Sequence, residues 1–139
     1  MLMKHLSEIV RCGYLFMNRK LKDRDCSYPE HYILMFLSGG RCVNQETIAS
    51  YFMVDKGAVA RMLGKMEAKG LISRTENPEN HREKLVCLTE TGKEKFKSMP
   101  SLREEWEQII YDGISPEEME TFNRTLEKLA ENAKKSHIK

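Results

Sequence analysis

A mixture of cationic and small residues between positions 55 and 69 carries the most suggestive chemistry in this 139-residue sequence. Read as a helix, the run sets Lys56, Gly57, Ala60, Arg61, Gly64, Lys65 and Ala68 opposite an apolar stripe of Val59, Met62, Leu63 and Met66 at i, i+3, i+4 and i+7. A guanidinium can donate two parallel hydrogen bonds to guanine, and an ammonium is a compact charge suited to phosphate. Small residues let a helix backbone come close to base edges. Arg61 is therefore the candidate for base contact, and Lys56 and Lys65 are candidates for phosphate contact. A second group, Asn80, His81, Arg82 and Lys84, lies in or beside a segment rich in turn residues, 77–83.

The elements that must position these groups follow from periodicity and caps. Asp55 is a helix cap and Gly70 a stop, giving a helix over 55–69. Before it, Asn44 caps a short helix, Gln45 to Tyr51, and residues 52–54 form the turn. After it, the β-prone runs 71–76 and 84–89 flank the turn-rich segment, which predicts a hairpin with a long tip. A helix fits the major groove of duplex DNA, a preceding helix can brace it, and a hairpin can reach the adjacent minor groove. The face opposite the apolar stripe would then do the reading, with Ala58 in its first turn.

The rest of the chain reads as helical. Apolar residues recur at helical spacing from Leu2 to Leu21. Pro29 fits the first turn of a second helix whose body is Tyr32 to Leu37. Thr89 or Thr91 caps a helix that Pro100 must interrupt near Met99. Ser115-Pro116-Glu117-Glu118 opens a final helix with Met119, Phe122, Leu126 and Leu129 expected inward, and the tail from Lys134 is expected to fray. The class is mainly α with a small β-hairpin.

Other chemistries find little support. No G-x-S-x-G, G-x-x-x-x-G-K-[ST] or H-E-x-x-H occurs, and the histidines at 5, 31, 81 and 137 lack ligand spacing, so no catalytic, cofactor or metal residues are assigned. His31 is expected at the surface or its boundary. Cys12, Cys26, Cys42 and Cys87 contain no C-x-x-C pair and are expected as reduced thiols. Net charge is +2, but residues 41–97 hold 11 Lys/Arg against 8 Asp/Glu, while 98–139 hold 6 against 9. A basic middle permits a nucleic-acid face there. The longest apolar run, Tyr32 to Leu37, is far short of the ~20 residues of a membrane span, and no export signal is visible, which places the expectation in the cytoplasm.

Residues 38–93 resemble the winged-helix regulators of the MarR family. The matching run is N-Q-E-T-I-A-S-Y-F-M-V-D-K-G-A-V-A-R-M-L-G-K-M-E-A-K-G-L-I-S-R, followed by N-P-E-N-H-R-E-K-L-V-C-L-T-E-T-G-K. The resemblance implies a winged helix-turn-helix flanked by dimerisation helices. It divides the chain into N-terminal support at 1–38, a DNA-binding region at 39–96 and C-terminal dimerisation helices at 97–139. It also implies a homodimer on a near-palindromic operator in double-stranded DNA, usually repressing, and a small aromatic or anionic effector bound between the DNA lobe and the dimerising helices. Wings of the family commonly carry D-x-R, whose arginine enters the minor groove. Here Asn80-His81-Arg82 stands in its place, an amide replacing the charged partner. The expected DNA-contacting set is Asn44, Gln45, Lys56, Gly57, Ala58, Ala60, Arg61, Lys65, Asn80, His81, Arg82 and Lys84. For Arg82 the competing reading is a surface ion pair with Glu79 or Glu83, worth ~0–1 kcal/mol.

Some family members oxidise a cysteine near the first helix, and Cys12 occupies that helix. Its position with Ile9 and Phe16 favours an inert, buried thiol. A redox-sensing regulator acting through Cys12 and a winged-helix module that binds protein instead of DNA are the two alternatives. A positive, open face around Lys56, Arg61, Lys65 and Arg82 would favour DNA over the protein partner.

Overall fold

The computed structural model describes residues 1–52 and 55–137. The turn position assigned to Met53 and the last two residues of the tail lie outside them. The chain forms two compact units, residues 1–102 and 103–139.

In the first unit, α1 (Leu2–Leu21) buries only its C-terminal turns, through Phe16, Met17 and Leu21. Leu2, Met3, Ile9, Val10 and Leu15 remain exposed. α2 (Tyr28–Leu37) starts with a reciprocal cap. Ser27 Oγ accepts from the Glu30 amide, and the Glu30 carboxylate accepts from the Ser27 amide, both at 3.3 Å. Ile33, Leu34 and Leu37 on α2 are fully buried. β1 (Val43–Asn44) leads straight into α3 (Gln45–Phe52), because Asn44 Oδ1 accepts from the Glu46 amide at 2.6 Å. α4 (Lys56–Ala68) is capped by Asp55, whose carboxylate accepts from the Ala58 amide at 3.2 Å, and Gly70 ends it with φ +74. Its stripe, Val59, Leu63 and Met66, is inaccessible to solvent, as is Ile48 of α3.

β2 (Ile72–Asn77) and β3 (Asn80–Leu88) form the wing, and β1 completes a three-stranded antiparallel sheet in the order β1-β3-β2. Thr89 caps α5 (Glu90–Ser98). Its hydroxyl donates to the Gly70 carbonyl and accepts from the Gly92 amide, joining the exit of α4 to the start of α5. Gly92 is required there because any Cβ would collide with the Leu71 carbonyl. The backbone turns extended at Met99, ahead of Pro100, and α6 (Leu102–Ile110) follows. In the second unit, Ser115 and Glu118 form another reciprocal cap at the start of α7 (Pro116–Lys135).

Five expectations are corrected. His31 is 6% exposed, not at the surface, because α5 crosses its side of α2; Nδ1 lies 3.1 Å from Met99 Sδ and the ring packs 5.8 Å from Phe96. The hairpin has a short tip, Pro78-Glu79, and both strands extend into the segment read as loop. Not all cysteines are thiols: Cys42 and Cys87 form a disulfide, 45 residues apart in sequence but at the rung beyond Val43↔Val86. Cys12 is exposed rather than buried, since α1 is covered only at its other end. The α7 stripe is not inward: Phe122 is 46% and Leu129 42% exposed, and α7 buries no residue within the chain. Among the described residues, no helix is long and apolar enough to cross a membrane.

Candidate nucleic-acid interface

Burying one face of α4 leaves the other to solvent. Lys56, Arg61 and Lys65 are exposed, while Gly57, Ala58 and Ala60 are half-buried between them and the core. Lys56 forms an exposed ion pair with Glu46 at 3.2 Å. Among the described residues, Arg61 and Lys65 have no ion-pair partner. A Cβ built on Gly57 would lie 3.0 Å from Asp55 Oδ2 and 3.3 Å from Arg61 Nη1, so this glycine keeps space for the guanidinium near the start of α4.

The wing presents its cation on an irregularity. Glu76 pairs with Lys84 and Asn77 with Asn80, so His81, Arg82 and Glu83 bulge from β3 without counterparts on β2. Arg82 is exposed, and its guanidinium pairs with no described residue. Neither acid of the surface-pair reading engages it, since the Glu83 carboxylate accepts from Asn77 Nδ2 at 3.1 Å. Asn80 Oδ1 accepts from the backbone amide of Arg82 at 3.2 Å, shaping the bulge instead of holding the guanidinium. His81 Nδ1 lies 3.3 Å from Glu76 Oε2. Lys84, exposed, and Arg82 border a groove of about 170 Å³ with Asn44, Gln45, Glu46 and Lys56. The fold thus brings the start of α3, the start of α4 and the wing together around one recess, whose three cations, Lys56, Arg82 and Lys84, outnumber its two acids, Glu46 and Glu83.

Two members of the expected set are committed within the protein. Asn44 caps α3, and Gln45 Oε1 accepts from Arg74 Nη1 at 3.4 Å. Sequence reasoning missed Arg74. From β2 it also donates to Glu67 of α4 at 3.2 and 3.4 Å, so one guanidinium joins wing, α3 and α4. Hydrogen bonding from Arg74 holds the Glu67 carboxyl below its ordinary range. The available signal was a cation on the inward side of a predicted strand, three residues before the turn-rich segment that starts at Asn77. Lys69 was missed as well. Its ammonium lies 3.2 Å from buried Glu30 and donates to the Asp25 carbonyl, tying the end of α4 to the start of α2. Burial disfavours its charge, but Glu30 and Asp25 together outweigh that and raise the Lys69 pKa.

A second recess, about 270 Å³, opens among α1, α2, α3 and α4, lined by Tyr14, Tyr28, Pro29, Tyr32, Ile33, Phe52 and Met62. Tyr14, Tyr28 and Tyr32 meet edge to face at 5.8 and 5.9 Å. Burial raises the Tyr28 phenol, keeping it a neutral hydrogen-bond donor. Among the described residues, no group of three or more His, Cys, Asp or Glu could hold a metal ion.

Helices braced at the core, a hairpin beside the outer one and an open cationic face define a winged helix-turn-helix protein. Residues 26–84 match the MarR family profile. YdcH, described as an uncharacterized HTH-type transcriptional regulator of Bacillus subtilis strain 168, is 30% identical over 106 residues, 73% of this chain and 72% of YdcH. A MarR transcriptional regulator from Methanosarcina mazei Go1 has the same fold at TM-score 0.84 and 27% identity, covering 96% of each chain. The S. aureus MepR–DNA complex matches in fold at TM-score 0.85 and 23% identity, covering 95% of this chain and 98% of that one. The chain belongs to the MarR family of transcriptional regulators and is not an enzyme.

Proposed function

We propose that the protein is a cytoplasmic homodimer that binds a near-palindromic operator in double-stranded DNA, represses transcription there and is released by a small molecule. The single observation carrying this reading is that exposed cations with no ion-pair partner among the described residues stand on both elements, Arg61 and Lys65 on α4 and Arg82 on the wing bulge, and that Arg82 shares one recess with Lys56 of α4. A cationic face that is open and not neutralised favours DNA over a protein partner. Arg61 takes the base-reading role, Lys56, Lys65 and Lys84 meet phosphates, and Arg82 enters the minor groove. Gly57, Ala58 and Ala60 permit close approach. Asn44, Gln45, Asn80 and His81 shape the surface from within. Residues 39–96 form the reading region, and 1–38 and 97–139 supply support and dimerisation, a role supported by the solvent-facing apolar residues of α1 and α7.

For the effector, the 270 Å³ recess supports an aromatic ligand. Its lining is rings and aliphatic groups with phenol hydroxyls and no cation, which suits a neutral aromatic better than an anion.

A mobility-shift assay with the DNA flanking the gene, at two salt concentrations, tests the reading. Retention should weaken steeply with salt, and Arg82→Ala should lower the log–log slope by about 0.9, one phosphate's worth. No retention at either salt contradicts DNA binding, and an unchanged slope removes Arg82 from the contacts.

A further inference from the structure

We propose that Cys42 and Cys87 are a reversible thiol–disulfide site, acted on by low-molecular-weight thiols, whose bond fastens the wing to the helices beside it. This inference rests on the DNA-reading role assigned above only for its effect on affinity.

The bond closes the weak end of the sheet. β1 contributes two residues, paired Val43↔Val86 and Asn44↔Leu85, and its next residue outward is Cys42. The two Cα atoms lie 4.5 Å apart, the spacing of directly opposed residues in an antiparallel pair. β1 runs without a break into α3 through the Asn44 cap, so whatever holds β1 to β3 also holds α3 to the wing. A two-rung ladder frays easily. With the bond in place, residues 42–87 become one covalent loop containing α3, α4, β2 and nearly all of β3.

Two observations mark this bond as changeable rather than a staple that the fold requires. The elements it joins are packed without it, with the apolar Ile48 of α3, Val59 and Leu63 of α4 and Val86 of β3 inaccessible to solvent. Cys42 is exposed and Cys87 half-buried, so a small thiolate has access. Disulfides in compartments that hold DNA are rare and are characteristically transient or redox-sensing. The exchange balances as follows. A thiolate attacks one cysteine sulfur, forms a mixed disulfide and expels the other cysteine as thiolate. A second small thiol then attacks the mixed disulfide, leaving two protein thiols and one small-molecule disulfide. Two electrons pass to the protein, and the reverse sequence with oxidised glutathione restores the bond.

The test uses the full chain in oxidised glutathione or in dithiothreitol. Mass spectrometry after alkylation counts thiols, amide hydrogen exchange reports β1, and fluorescence anisotropy reports binding to the gene-flanking DNA. Peptide mapping should find Cys42 and Cys87 unlabelled in oxidised protein and labelled in reduced protein, with Cys12 and Cys26 carrying either a label or a glutathione adduct in the oxidised sample. Exchange at Val43 and Asn44 should rise on reduction. If the loosened wing is binding-competent about a tenth of the time, affinity should fall about tenfold. The Cys42→Ser/Cys87→Ser double variant should match reduced protein and ignore the redox buffer. Labels on Cys42 and Cys87 in both buffers, or equal exchange and affinity in both states, overturns the proposal. DNA retention in neither state sinks the DNA reading and the gating of affinity with it, while the label count and the exchange at β1 still uphold or overturn the site itself.

Discussion

α4 and α7 are both amphipathic, yet the chain finishes one and leaves the other open. The 13-residue α4 has Val59, Leu63 and Met66 wholly buried, whereas the 20-residue α7 buries nothing and leaves Phe122 and Leu129 more than two-fifths exposed. A helix whose apolar stripe is satisfied can use its polar face for recognition. A helix whose stripe is unsatisfied still requires a covering surface. The difference separates what one chain does alone, presenting cations, from what the proposed second copy must supply.

The comparison breaks most visibly at Leu63. Leu63→Ala removes a fully buried side chain beneath the cationic face and should cost about 2–5 kcal/mol of stability by denaturant titration. A loss under about 0.5 kcal/mol, the size of an ordinary surface change, would show that α4 is not anchored as described. Phe122→Lys should do the opposite. It should leave the secondary structure intact by circular dichroism while weakening self-association by about 1.5–3 kcal/mol per side chain lost from the interface. Light scattering would register this as a shift from two chains to one, and an unshifted mass at low concentration would remove α7 from the dimer contacts.

The smallest effect concerns the packing of α2 against α5. Burial lowers the His31 pKa, so the unfolded chain takes up a proton at a pH where the folded one remains neutral. Stability is therefore full above the ordinary histidine value of about 6.5 and declines as pH falls from there toward the lowered folded value. His31→Gln should lose less stability than wild type between about pH 7.5 and 5.5. Equal losses would place the histidine in water.

Helix starts were the most legible feature of the sequence, because a cap is written in adjacent residues. Ser115-Pro116-Glu117-Glu118 and Asp55 act where their types predict. Gly70 likewise stops α4 as its type suggests. The wing's existence was legible and its extent was not. Asn77, Pro78 and Asn80 all read as turn residues, but only Pro78-Glu79 lie outside the strands. β1 is too short for periodicity, and with it went the disulfide, whose partners meet only through sheet pairing. His31 was misplaced because α2 is apolar on more than one side, so no polar face announced itself. The cations proposed for the site stand out in the sequence by type and spacing, and the structure leaves Lys56, Arg61, Lys65, Arg82 and Lys84 exposed. The residues that hold the parts of the site in place, Arg74 and Lys69, do not stand out in this way, because the sequence beside a cation does not name its partner on a distant element.

The central claim is that α4 lies in a major groove with Arg61 against a guanine. Methylation interference at guanine N7, an atom on the major-groove edge, tests it directly. Wild-type protein should reject DNA methylated at matched guanines in the two half-sites, and Arg61→Ala should lose that interference at one position in each. Retention indifferent to N7 methylation, or the same pattern for both proteins, would contradict the account.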